Sequence, residues 1–89
     1  MEISAKALGS LNKLKGIKVD LKSNRSLSNG WTIKGAYKKQ PVIIERGLQS
    51  GRYGQVACYT IKIAGKKIVS ESSLDRMVKA FEDILSVFA

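Results

Sequence analysis

The residues able to do chemistry are few and scattered. The chain has no histidine and one cysteine, Cys58. The commonest general base and the commonest metal ligand are therefore missing, and Cys58 has no intramolecular disulfide partner. Outside the last eighteen residues the carboxylates are Glu2, Asp20, Glu45 and Glu71, far apart in sequence and with no companion nucleophile. No G-x-S-x-G elbow, G-x-x-x-x-G-K-[ST] phosphate loop, C-x-x-C pair or H-E-x-x-H helix is present, and Gly47, Gly51 and Gly54 do not fit G-x-G-x-x-G. The expectation is a non-catalytic protein with no cofactor and no metal. Cys58 reads as a small apolar strand residue.

Charge is the stronger signal. Sixteen basic and seven acidic residues give +9. Residues 1–71 hold fourteen of the basic and four of the acidic residues, leaving +10, while the remainder carries −1. A polyanion or an acidic surface is the partner such an asymmetry suits. The candidate contact residues are Lys34, Lys38, Lys39, Arg46, Arg52, Tyr53, Lys62, Lys66 and Lys67. The lysines and arginines would meet phosphates, and Tyr53, Tyr37 or Trp31 would stack on bases. No named nucleic-acid motif is present, including the aromatic signature of RNA-recognition sheets. The competing role for Trp31 and Tyr59 is core packing, and for the lysine doublets protection of strand edges.

The elements that must position these residues follow from periodicity. Leu74, Met77, Val78, Phe81, Ile84, Leu85 and Phe88 recur at helical spacing, opposite Asp75, Arg76, Lys79, Glu82, Asp83 and Ser86. Ser72 or Ser73 is placed to cap this helix, and Asp75 lies in its first turn, where the helix dipole favours a carboxylate. Ahead of it the pattern is β. Ile17, Val19 and Leu21 alternate with Lys18, Asp20 and Lys22; residues 23–30 read as a loop ending in the turn signal Asn29-Gly30. Trp31, Ile33, Gly35 and Tyr37 share one face, with Thr32, Lys34 and Ala36 on the other. Lys38 to Pro41 breaks the strand, Val42 to Arg46 is another, and Gly47 to Gly54 reads as a flexible loop. In 55–63 the inward set is Ala57, Tyr59, Ile61 and Ile63; Ala64 to Lys66 forms a tight turn, and Lys67 to Ser70 is its hairpin partner. Residues 4–14 place Ala5, Leu8, Leu11 and Leu14 three apart, a short helix capped by Ser4; the rival reading is an extended arm with Met1–Ala7 as an edge strand.

The expected architecture is a single α+β domain over residues 1–89. An antiparallel sheet of four or five strands carries one long C-terminal helix on one face, and Lys34, Thr60 and Lys62 look out from the other. No apolar run approaches the ~18 residues of a membrane span, and the start is not that of a secretory signal, so a cytoplasmic protein with no membrane partner is expected. Burial of the Leu85–Phe88 end of the helix decides between monomer and homodimer.

The stretch Ile63-Ala-Gly-Lys-Lys-Ile-Val-Ser-Glu-Ser-Ser-Leu-Asp-Arg-Met-Val-Lys-Ala-Phe81 resembles the last strand and helix start of small phage-encoded proteins built as a β-meander plus one helix, including an anti-CRISPR family that blocks Cas9. That family is acidic and mimics DNA, whereas this chain is +9. The resemblance implies a compact viral or mobile-element protein that acts by binding, in the cytoplasm of its host. Two functions are thus expected in competition. One is nucleic-acid binding, to DNA or RNA, through the sheet face and loops opposite the helix. The other is an inhibitor or adaptor whose basic face docks on an acidic protein or a ribonucleoprotein.

Overall fold

The computed structural model describes residues 5–14 and 16–88, apart from the side chains of Leu21, Val87 and Phe88. The elements run α1 (Ala5–Leu11), β1 (Ile17–Leu27), β2 (Gly30–Tyr37), β3 (Gln40–Gly51), β4 (Gly54–Ile63), β5 (Lys66–Glu71) and α2 (Leu74–Phe88). The five strands form one antiparallel meander in sequence order. The α+β class is as expected, at the upper strand count.

Strand alternation sorts the side chains as the spacing requires. Trp31, Ile33, Val42, Ile44, Ile61 and Val69 are buried on one side of the sheet, and both helices cover that side. The amphipathic stripe of α2 supplies Met77, Val78 and Phe81 to this core. Its first turn is held by Ser73, whose Oγ accepts the Arg76 N–H at 3.1 Å, so Ser73 is the cap. One edge-on ring pair, Tyr37 on Phe81 at 5.9 Å between centroids, ties the sheet to α2, and a second, Trp31 on Tyr59 at 6.3 Å, packs within the inner face of the sheet. Trp31 and Tyr59 are thus packing residues.

Helix α1 is real, and residues 5–7 do not form the edge strand of the rival reading. Its buried side is Ala7, Ser10 and Leu11, continued by Leu14, whereas Ala5 is exposed. Leu8, partly buried against the core, Leu11 and Leu14 thus face inward as their spacing requires, and Ala7 joins them in place of Ala5. Ser4, proposed as its cap, lies outside the described residues, as do the side chains of Leu21 and Phe88.

Three segments differ from expectation, each because pairing with a neighbouring strand carries the strand further than local composition indicates. Residues 23–27, expected in a loop, belong to β1, and the connection to β2 is Ser28 and Asn29 alone. Residues 47–51 and 54 are strand, so the expected flexible loop shrinks to Arg52 and Tyr53. Pro41 stays inside β3, opposite Ala36, so the break is the two-residue turn Lys38-Lys39. Proline fits there because only its donor is missing; its carbonyl accepts the Ala64 N–H at 2.9 Å.

Candidate nucleic-acid interface

The register of the four strand pairs lays the open face out in rows. One runs Asp20, Lys34, Ile43, Lys62 and Lys67 across all five strands; the next runs Arg25, Thr32, Glu45, Thr60 and Ser70. Lys18 and Ala36 begin a third. Paired residues project to the same side about 5 Å apart, so the rows form one continuous surface. Among the described residues no helix covers it. Three of the nine candidate residues, Lys34, Lys62 and Lys67, come together on this face. Lys62 Nζ lies 3.4 Å from Glu45 Oε1. An ion pair this open to water contributes at most about 1 kcal/mol and leaves Lys62 able to exchange partners.

The other six candidates lie elsewhere. Lys38 and Lys39 form the β2–β3 turn, with Lys38 Nζ 5.4 Å from the centre of the Tyr37 ring. Lys66 follows the neighbouring β4–β5 turn at the same end of the sheet and pairs with Ile63, which directs it toward the helix side. Arg52 and Tyr53 occupy the β3–β4 tip at the opposite end, the guanidinium 5.7 Å from the ring centre and Tyr53 94% exposed. Arg46 lies with the core-side residues. It pairs with Trp31 and Tyr59, donates Nε–H to Tyr59 Oη at 3.2 Å and Nη1–H to the Asn29 carbonyl at 3.0 Å. It pins the β1–β2 turn to β3, on the face away from Lys34.

Base stacking by Trp31 is ruled out by its burial at 2% exposure, and Tyr37 is engaged with Phe81. All three aromatics of the sheet proper face the helices, so among the described residues the open face offers cations, hydroxyls, Ile43 and the carboxylates Asp20 and Glu45 but no ring. Its further cations are Lys18, Lys22 and Arg25 of β1. The alternation of Ile17, Val19 and Leu21 was enough to turn Lys18 outward. Arg25 had no such signal, because a run of Ser and Asn hid the continuation of β1.

Beyond the pairs Trp31–Arg46 and Tyr59–Glu71, β3 and β4 continue without β2 or β5 alongside. Residues 47–58 therefore project as a two-stranded ribbon. Its walls are uncharged apart from Arg52 at the tip, and Leu48, Tyr53 and Val56 are exposed. Cys58, at its base, is half-buried with Sγ 3.4 Å from Ser70 Oγ.

The Lys38-Lys39 turn is strained. Both residues have positive φ, 47° and 68°. That is the pattern of a two-residue hairpin turn for which Asn-Gly is the best sequence, and holding a lysine there costs about 1 kcal/mol or more each. Lys38→Asn with Lys39→Gly is expected to raise stability by about 1–2 kcal/mol, roughly 5–15 °C in Tm for a domain of this size. A thermal melt followed by circular dichroism checks it, and an unchanged or lower Tm contradicts the assigned turn.

No helix among the described residues is long and apolar enough to cross a membrane, and no group of three or more potential metal ligands is found among them. Comparison with known proteins returns no matching family model, curated protein or solved structure.

Proposed function

We propose that this protein binds nucleic acid through the open face of its sheet, and that duplex is its preferred form. The observation that carries this reading is the composition of that face. Lys18, Lys22, Arg25, Lys34, Lys62 and Lys67 stand against Asp20 and Glu45 on a surface with no aromatic ring. Single strands are held by stacking bases on aromatic side chains. A ringless cationic sheet instead suits the regular phosphates of a duplex, where cations displace counterions and sequence is hardly read. On the other side of the sheet α2 carries Asp75, Glu82 and Asp83 against Arg76 and Lys79, so the helix adds no cationic surplus of its own.

The test is a fluorescence-anisotropy titration against short single-stranded and duplex DNA and RNA at about 50 and about 200 mM salt. Duplex binding should saturate at both, with log K falling against log[salt] at a slope of about −4 to −6. A stronger single-strand affinity, or no binding to any of the four ligands, contradicts the reading.

The ribbon favours a second reading, an inhibitor or adaptor that acts on a protein or ribonucleoprotein. Natural sheets guard open edges with lysine or proline. Residues 47–58 present open edges with no charge but Arg52 and with Leu48, Tyr53 and Val56 exposed. Such a ribbon can add an extended partner segment as a further strand. Among the described residues Tyr53 touches only Arg52 in ring and cation contacts, and it is 94% exposed, so Tyr53→Ala leaves stability within about 0.5 kcal/mol. Loss of partner capture by this variant with duplex binding intact would favour the second reading.

A further inference from the structure

Between Asp20 and Arg25 the ladder of β1 with β2 is interrupted. Asp20 pairs with Lys34 and Arg25 with Thr32, so residues 21–24 on β1 stand opposite Ile33 alone. Bulges of this kind redirect side chains and recur beside functional sites. Ser23 organises this one. Its hydroxyl donates to the Asp20 carbonyl at 2.6 Å and accepts the Lys34 backbone N–H at 2.8 Å, replacing the ladder carbonyl that the bulge removes. The bulge borders an open pocket of about 230 Å³ lined by Lys22, Ser23, Asn24, Arg25, Thr32 and Lys34.

We infer that this pocket is a phosphate-group site. Three of its six lining side chains are cationic, two more end in a hydroxyl and one in an amide, and none is acidic. Asp20, the cross-strand partner of Lys34, turns Oδ1 to the Lys22 backbone N–H at 3.0 Å. Among the described residues no ion pair within 4.0 Å engages Lys22, Arg25 or Lys34. Three unpaired cations about one concavity repel one another, and a bound oxyanion removes that repulsion. Arginine presents a planar fork of donors matched to phosphate, and lysine a mobile point charge. A phosphate offers acceptor oxygens in several directions, which suits donors converging from two strands; a carboxylate offers two in one plane. The pocket opens on the same face as Lys62 and Lys67, so its ligand is either a backbone phosphodiester or a separate phosphate or phosphomonoester. The inference does not depend on the duplex reading.

The experiment is a ¹H–¹⁵N NMR titration of the protein with inorganic phosphate at constant ionic strength, chloride making up the balance. The amides of residues 22–25 and 32–34 should shift together and saturate in the millimolar range. Arg25→Gln with Lys34→Gln should weaken this at least tenfold. Lys18→Gln with Lys67→Gln removes the same charge from the same face outside the pocket and should change it less than about twofold. Ser23→Ala, which keeps every charge and releases the bulge, should weaken it severalfold. Dispersed spectra verify that each variant folds. Shifts that never saturate, that spread over the whole basic surface, or that fall equally in both double variants overturn the site. A second titration with a short duplex identifies the source. If the same amides move and Arg25→Gln with Lys34→Gln lowers duplex affinity about tenfold, the ligand is a phosphodiester. If phosphate saturates the pocket while duplex leaves these amides unmoved, the ligand is a free phosphate or monoester, and the pocket stands even though the duplex reading has failed there.

Discussion

Gly30→Ala is expected to unfold the protein under conditions where the wild type is native. A Cβ at position 30 would lie 1.8 Å from the Arg46 carbonyl oxygen and 2.6 Å from its carbon, both backbone atoms of the neighbouring strand. The clash has no cheap relief. The next residue, Trp31, is buried and edge-on to Tyr59, and pairs with Arg46 itself. Arg46 in turn holds Tyr59 and the Asn29 carbonyl. Moving β2 away from β3 at this point therefore breaks a ring contact, a ladder pair and two side-chain hydrogen bonds at once. The cost is about 3 kcal/mol or more, against a total stability of roughly 4–13 kcal/mol for a chain this long. Urea unfolding followed by Trp31 fluorescence, from the single tryptophan of the chain, reads it directly. Gly9→Ala is the control. A Cβ there meets nothing within 4 Å, and alanine favours helix α1 by up to about 1 kcal/mol. If both variants melt within a few degrees of wild type, the end of β2 is not seated on β3 as described.

Lys34→Glu with Lys67→Glu should lower duplex affinity on the order of 100-fold at about 50 mM salt and flatten the salt dependence by about two units of slope, if each lysine neutralises one phosphate. Lys62, by contrast, also holds Glu45, so replacing it would alter the face itself. Arg76→Glu with Lys79→Glu makes the same change in net charge on the exposed side of α2. With the sheet as the binding face, this second pair should cost less than about fivefold, through long-range repulsion that salt screens. Equal losses from the two pairs would show that net charge alone attracts the ligand. Lys38→Glu with Lys39→Glu, at the edge of the face, should fall between them. The relaxed Asn-Gly turn at the same positions separates strain from charge, since it gains stability while giving up two cations.

What the amino-acid sequence determined by itself is local and periodic. The stripe of α2 and its serine cap follow from 3.6-residue spacing, and the inward sides of β2 and β4 from alternation. The tight β4–β5 turn follows from Ala64-Gly65, where both residues take positive φ. These signals depend on a residue and its near neighbours, so no partner strand is needed to read them. The absence of histidine, the lone cysteine and the bias of charge away from the last helix are likewise properties of composition.

The tertiary structure decided everything that depends on register. Asn29-Gly30 reads as a turn with glycine supplying positive φ, yet the turn is Ser28-Asn29 and Gly30 opens β2 without positive φ. Glycine is required there by the closeness of Arg46, a residue sixteen positions away. The glycines at 47, 51 and 54 suggest a loop because glycine weakens strand propensity, but continuous pairing of β3 with β4 outweighs propensity. Arg46 reads as a phosphate contact from its place beside Gly47, but its partners Trp31 and Tyr59 place it on the core side. Residues 23–27 have loop composition, and Ser23 turns that composition into a pinned bulge by lending its hydroxyl to Lys34. The open basic face and its pocket exist only because five strands align lysines and an arginine that are up to forty-nine residues apart, from Lys18 to Lys67. Such an alignment is a property of strand pairing, set by hydrogen bonds between distant segments, and no single stretch of the chain contains it.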